Sequence, residues 1–344
     1  MVGLLDAIST MGEDKELANE ILKLIDIRKW FPVQKGFLER LLAREKLFVK
    51  AVDGVTLTVR RGETLALVGE SGCGKTTLGR LIVRLIEPTS GKIIFDGVDI
   101  TDLEGEELRK LRRRMQIIFQ DPYASLNPRM PIGEQVAHPL KIHGLASGEE
   151  AKERVLKTLE QVGLSPPEKF YAAYPRMLSG GQRQRVAIAR AIILRPELVV
   201  ADEPVSMIDV SLRASILDLM LKLKQDLNLT YVFITHDLAV AKYIADTIAV
   251  MYLGKIVEYG PSEKIFKNPL HPYTKALLAS IPVPRPLRES REIELRGEVP
   301  NPINPPPGCR FHPRCPVAMD ICRREEPRLR EVENGHYVAC FQAE

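Results

Sequence analysis

No stretch of this sequence is apolar for long enough to cross a bilayer, which argues against an integral membrane chain. No secretory leader pattern is found, so a cytosolic setting is expected. Repeats of solenoid length and sustained heptads are also missing, which excludes repeat arrays and long coiled coils. Charge of one sign does not dominate. The chain has 49 Lys and Arg against 45 Asp and Glu, a net +4, and no nucleic-acid footprint stands out. Cysteine is scarce at five residues, none in a secretory context, which fits a reducing compartment. The 344 residues leave room for one large domain and a small one.

Residues 69–76, in contrast, read Gly-Glu-Ser-Gly-Cys-Gly-Lys-Thr, a complete G-x-x-x-x-G-K-[ST] phosphate loop. The apolar, β-rich run over 64–69 predicts a buried strand before it, and the pattern from Lys75 to Ile86 predicts a helix after it. In such a loop Gly69, Gly72 and Gly74 let backbone N–H groups turn toward phosphates. Lys75 puts a point charge on the outer phosphates and Thr76 a hydroxyl on Mg²⁺. Glu70, Ser71, Cys73 and Thr77 complete the nucleotide-contacting segment, with Cys73 read as a small packing residue.

Three further apolar runs end in polar residues. Residues 198–203, Leu-Val-Val-Ala-Asp-Glu, predict a core strand with Asp202 on the Mg²⁺ side and Glu203 beside the attacking water. Residues 115–120 end in Gln120, with reach to Mg²⁺ or that water, and residues 231–236 end in His236, with reach to the γ-phosphate and Glu203. Ligands of open α/β sheets bind outside the carboxyl ends of the strands. Residues 178–182, Leu-Ser-Gly-Gly-Gln, open a helical pattern that stops before Pro196. The basic run Arg109–Arg114 reads as a solvated helix face.

The order of phosphate loop, Gln120, Leu178–Gln182, Asp202-Glu203, Asp209 and His236 resembles the ATP-binding-cassette (ABC) ATPases, over residue 24 to about residue 260. The resemblance implies an α/β P-loop cassette with a RecA-like core, an antiparallel β-subdomain, a helical subdomain at about 121–178, and a small Cys-rich C-terminal extension. It implies that two cassettes pack head to tail, so that Ser179, Gly180, Gly181, Gln182 and Asp209 act in trans on the partner's ATP. One motif departs from the family pattern: residues 206–209 read Ser-Met-Ile-Asp where relatives read Ser-Ala-Leu-Asp. Phe31 fits the family's adenine-stacking position, with Trp30 the alternative.

The domains read as an extension over 1–23 with a short helix near Glu13–Leu22, a nucleotide-binding domain over 24–281, and a Pro-rich linker with a Cys-rich end over 282–344. Asn268-Pro-Leu-His-Pro-Tyr, Asp121-Pro-Tyr-Ala-Ser-Leu-Asn-Pro-Arg129 and the Cys-rich end resemble the oligopeptide/dipeptide importer ATPases, nearer their second, F-type, partner. Cys309, Cys315, Cys322 and Cys340 argue for a metal site. The resemblance implies a [4Fe–4S] cluster there. Zn²⁺, with or without His312 or His336, and free thiols are the alternatives.

The expected function is an ATPase energising an importer of oligopeptides or dipeptides, or of oligosaccharides in the same family. Its expected cofactors are ATP and Mg²⁺. Its expected partners are a second, different ATPase, two transmembrane permeases and, indirectly, an extracytoplasmic binding protein. The expected place is the cytoplasmic face of the membrane. The alternative is an ABC ATPase of DNA repair or translation, which usually carries two fused cassettes or a coiled-coil insertion.

Overall fold

The computed structural model describes residues 19–33, 47–281, 298 and 300–343. In chain order the strands are β1 (Glu20–Pro32), β2 (Phe48–Arg60), β3 (Thr64–Val68), β4 (Ser90–Phe95), β5 (Val98–Asp99), β6 (Met115–Ile118), β7 (Leu198–Asp202), β8 (Thr230–Thr235), β9 (Thr247–Tyr252), β10 (Lys255–Pro261), β11 (Arg330–Glu333) and β12 (His336–Val338). The α-helices are α1 (Lys75–Ile82), α2 (Gly105–Arg112), α3 (Pro122–Ser125), α4 (Ile132–Ile142), α5 (Gly148–Gln161), α6 (Pro167–Ala172), α7 (Gly180–Ile192), α8 (Val210–Leu227), α9 (Leu238–Ile244), α10 (Ser262–Lys267) and α11 (Pro272–Ala279). The described residues divide into two compact units, one drawn from those up to 60, from 65–101 and from 235 onward, the other of residues 61–64 and 102–234. Among the described residues no helix is long and apolar enough to cross a membrane.

The first unit holds an antiparallel sheet in the order β2-β1-β4-β5. It also holds a mixed set in which β3 runs parallel to β9, and β10, β12 and β11 follow in antiparallel pairs. Every residue of β3 is buried, as its unbroken Leu-Ala-Leu-Val run requires of a strand covered on both faces. The helix after the loop is shorter than the expected Lys75–Ile86. It stops at Ile82 because Arg84 takes a positive φ of 53° and turns its Nε to the Ile100 carbonyl at 3.0 Å. Residues 20–22 lie in β1 rather than in a helix, and residues 13–18 of that expectation fall outside the described residues.

The C-terminal tail is built into this unit. Phe311 joins Val68, Val250, Tyr252, Val257 and Tyr273 in one buried cluster. Lys50 N donates to Pro302 O at 3.2 Å. Glu258 of β10, wholly buried, accepts from Leu270 N at 2.7 Å and His271 N at 2.9 Å, and pairs at 2.8 Å with His336 Nε2 of β12.

The second unit holds β6, β7 and β8 in parallel order. Helices α3 to α6 fill residues 122–172, where a helical segment was expected. Helix α2 buries no residue, in keeping with a solvated basic face, yet Arg114 beyond it turns to Glu197, its Nε donating at 2.5 Å and its Nη2 at 2.9 Å. Arg61 reaches the same carboxylate at 2.8 Å, so one acid anchors the starts of two segments.

The metal expectation is overturned. Among the described residues no group of three or more His, Cys, Asp or Glu side chains is placed to hold a metal ion. Cys309, Cys315, Cys322 and Cys340 are free thiols, so neither a [4Fe–4S] cluster nor zinc belongs in the reading. Burial pushes the Cys309 thiol up to about 11 and raises Cys315 and Cys340 as well, as expected of thiols in apolar surroundings. Of the two histidines considered for zinc, His336 pairs with Glu258, and His312 Nδ1 lies 2.9 Å from the Cys309 carbonyl. Cys309 and Cys315 pack instead against the Phe311 cluster, as small apolar side chains.

His271 makes stability depend on pH. It is buried, its Nδ1 accepts from Tyr273 N at 3.1 Å to cap α11, and burial lowers its pKa from 6.5 to about 4. The unfolded chain therefore binds the extra proton between those values while the folded chain does not. Stability falls as pH drops through that window, by roughly 3 kcal/mol in all. His271→Asn keeps a capping acceptor without the titration. Its urea midpoint should fall less steeply than that of the wild type over the same window, and parallel curves would clear His271.

Candidate functional site

The first unit carries the phosphate loop between β3 and α1. A Cβ on Gly69 (φ 152°) would lie 2.2 Å from the Met251 carbonyl oxygen, and one on Gly74 (φ 107°) only 2.0 Å from that of Ala51. These two glycines are thus required by the close approach of β9 and β2, a packing reason that the motif alone does not reveal. A Cβ on Gly72 would meet nothing within 4 Å, so the backbone there faces open space. Lys75 is buried at the start of α1. Its Nζ donates to Gly69 O at 2.7 Å and Glu70 O at 2.9 Å and lies 3.7 Å from Cys73 Sγ. Burial raises the thiol of Cys73. Ser71 is exposed, and Thr76 and Thr77 are half-buried. An ammonium ringed by carbonyls at a helix start, beneath open backbone, fits a phosphate chain.

Glu70 is held from two sides. Its N–H donates to Tyr273 Oη at 2.9 Å, and its carboxylate accepts from Arg314 Nη1 at 2.8 Å and Nη2 at 3.2 Å. Neither partner was foreseen in the sequence. His236 follows β8 and is exposed. Phe31, near the end of β1, is 38% exposed, with Lys29 Nζ 5.2 Å from its ring centre. Trp30 is tied down: its Nε1 donates to Asp53 Oδ1 at 3.0 Å, and Lys50 Nζ lies 4.8 Å over its ring. Asp53 also accepts from Arg310, which donates as well to the Leu253 carbonyl. Burial alone would raise the Asp53 carboxyl, but Arg310, with Lys255 and Trp30, holds it below the ordinary value.

In the second unit Asp202 ends β7 and is buried. Glu203 follows with φ 45°, a left-handed conformation that costs energy for any residue with a Cβ. Three bonds fix it there: Glu203 N donates to Ile234 O at 3.0 Å, and Ser206 N and Oγ donate to Glu203 O at 3.1 and 3.0 Å. Gln120 is exposed, and its Nε2 donates to Glu203 Oε2 at 2.9 Å. The structure thus joins two of the polar residues that end separate apolar runs.

Ser179 caps α7 in a reciprocal box. Its Oγ accepts from Gln182 N at 3.3 Å, and Gln182 Oε1 accepts from Ser179 N at 3.0 Å. Gly180 and Gly181 form the first turn, where a Cβ on Gly181 would sit 3.1 Å from Leu212. Asp209 is exposed at the N-cap position of α8. In the departing motif Ile208 is buried, whereas Met207 is 57% exposed.

Sequence reasoning missed the arginines of α7. Arg183 Nε, Arg185 Nη1 and Arg190 Nη1 donate to the carbonyls of Pro175, Val162 and Ser125 at 2.7, 2.6 and 2.5 Å. They tie the helical segment to α7. The only signal was the Arg-Gln-Arg run after Gln182, which reads equally well as a polar helix face.

Comparison with known proteins agrees with this architecture. The ABC transporter family model matches residues 52–206, and the model for the C-terminal region of oligopeptide/dipeptide transporters matches residues 257–322. The chain is 49% identical to the oligopeptide transport ATP-binding protein AppF of Bacillus subtilis, over 93% of this chain and 96% of that one. It is 50% identical to the dipeptide transport ATP-binding protein DppF of Haemophilus influenzae, over the same shares. A dimeric post-hydrolysis structure of the ATP-binding cassette MJ0796 with ADP and Pi superposes with a TM-score of 0.61 at 33% identity, covering 70% of this chain and 99% of that one. The fold and loop define a P-loop ATPase of the ABC class. The chain belongs to the ATP-binding subunits of ABC transporters, in the oligopeptide/dipeptide transporter family.

Gly74→Ala tests the loop. The added Cβ collides with the Ala51 carbonyl, and the backbone is strained at φ 107°. A loss of about 3 kcal/mol is expected in urea unfolding, together with weakened ATP binding. Wild-type values for both would mean that the loop does not need glycine there.

Proposed function

We propose that the chain energises the import of short peptides by binding and hydrolysing ATP on the cytoplasmic face of a membrane. The observation that carries the reading is the Gln120–Glu203 hydrogen bond beside a buried Asp202, in a chain that also carries a complete phosphate loop. The names of AppF and DppF support a peptide cargo, because both are peptide-transport ATP-binding proteins over nearly their whole length.

Bound Mg·ATP supplies the γ-phosphoryl group that passes to water. Lys75 and the N–H groups of residues 69–77 hold the phosphates. Thr76 and Asp202 offer hard oxygen ligands suited to Mg²⁺. Phe31 stacks the base. Glu203 orients the water and takes its proton at the carboxylate, Gln120 fixes that carboxylate, and His236 hydrogen-bonds the γ-phosphate.

The working unit is a pair of cassettes, one of them a different ATPase. Ser179, Gly180, Gly181, Gln182 and Asp209 complete the partner's site, and two permeases receive the motion. The exposure of Met207 at 57% and Val210 at 76%, close in sequence to Asp209, supports a surface covered by a second cassette. The dimeric state of MJ0796 supports the same arrangement. Residues 24–281 act as the nucleotide-binding domain with a helical subdomain over about 121–178, and residues 282–344 act as a C-terminal extension that carries the cysteines.

Glu203→Gln in the reconstituted complex should bind ATP normally while turnover falls by about 10²-fold or more. Hydrolysis near the wild-type rate would remove Glu203 from the role. Peptide-stimulated hydrolysis in vesicles carrying the permeases tests the cargo, and stimulation by oligosaccharides instead would redirect it. Activity of the wild-type chain should rise more than linearly with its concentration. A strictly proportional rate at full complex level would argue for a self-sufficient cassette.

A further inference from the structure

We infer that Arg314 is a positioning residue for nucleotide: through it the C-terminal tail grips Glu70 of the phosphate loop and sets ATP affinity. The inference rests on the reading that residues 69–76 receive phosphates.

Arg314 meets Glu70 as a two-pronged fork, at 2.8 and 3.2 Å, with the Arg314 side chain 9% exposed and that of Glu70 28%. Forked pairs of this kind fix geometry as well as charge. Glu70 is also the residue whose carbonyl accepts from Lys75 Nζ and from Cys73 N, at 2.9 and 3.3 Å. A side chain of the tail therefore acts on the loop lysine through one intervening residue. Tyr273 Oη holds the Glu70 N–H, so backbone and carboxylate of this residue are fixed together.

Charge gives the fork a second effect. Glu70 is an acid in a loop built for anions, and unpaired it would repel incoming phosphates. Arg314 cancels that charge without occupying the loop. The tail can bear this load because it is anchored four residues earlier. Arg310 is 8% exposed and bonds both Asp53 and the Leu253 carbonyl, and Phe311 is buried between Tyr252 and Tyr273. Asp53 in turn holds Trp30 beside Phe31, so the same five-residue stretch reaches the base side of the proposed site as well.

The test uses the full chain, with ATP affinity, steady-state kinetics and hydrogen exchange of residues 69–76 in nucleotide-free protein as readouts. Arg314→Gln should weaken ATP binding by roughly tenfold or more, the scale of one charge-assisted hydrogen bond. KM should rise with kcat little changed, and exchange in the loop should speed up. Arg314→Lys keeps the charge but loses the fork, and should recover part of the affinity. In a Glu70→Gln background Arg314→Gln should have no further effect on affinity. Unchanged affinity and exchange in Arg314→Gln would overturn the inference, as would an equal loss in both backgrounds. If Arg314→Gln does not fold, Arg314→Lys decides, since wild-type exchange in the loop would then refute the grip. A wild-type chain that fails to bind ATP would sink the site reading itself, which is a different result from wild-type binding with indifferent variants.

Discussion

Phe311 is the contact on which the tail depends. Its ring lies edge-on to Tyr252 at 5.2 Å and tilted to Tyr273 and His271 at 5.5 Å each. Burying such a side chain stabilises by about 2–3 kcal/mol, and aromatic geometry adds to that. The wedge settles where Arg310 and Arg314 can reach, one residue before it and three after. It also holds Tyr273, whose hydroxyl accepts from the phosphate loop. A hydrophobic contact far along the chain thereby determines the electrostatics of a loop near residue 70.

The polar residues of interest owe their places to a different constraint. Buried parallel strands must be apolar along their length, so a polar side chain is tolerated only where the strand ends. Asp202 stands at such an end, Glu203 and His236 follow one residue beyond β7 and β8, and Gln120 lies two residues beyond β6. Glu203 goes further by adopting a left-handed backbone, which three hydrogen bonds from neighbouring groups keep in place. In that conformation the carboxylate accepts from Gln120 Nε2 at 2.9 Å.

These constraints explain what could be read in advance. Strands β3, β6, β7 and β8 were legible because an unbroken apolar run between loop signals has few other meanings, and the phosphate loop because its residues are consecutive. The Glu70–Arg314 pair was not, because 244 positions separate its members and neither residue type is unusual. The thiols misled for a related reason. Spacing counts candidate ligands but does not set their geometry, and among the described residues no group of them is placed to hold a metal ion. The end of α1 was missed because Arg84 leaves the helix for a carbonyl sixteen residues away. Trp30 and Phe31 looked interchangeable in sequence. Only the bond from Trp30 to Asp53 separates the tethered ring from the open one.

The short hairpin near the C-terminus has a consequence for solubility. β12 pairs with β10, whose seven residues include the buried Ile256 and Val257. β11 lies outermost, only four residues long and exposed throughout, with Arg330, Glu331 and Glu333 among them. An unpaired strand edge invites edge-to-edge association between molecules, and a short charged strand blunts it. The tail therefore exchanges a long apolar margin for a brief charged one. Cutting the chain just before this hairpin would leave Arg314 in place yet bare the apolar margin of β10, so the last residues of the tail guard the protein against self-association.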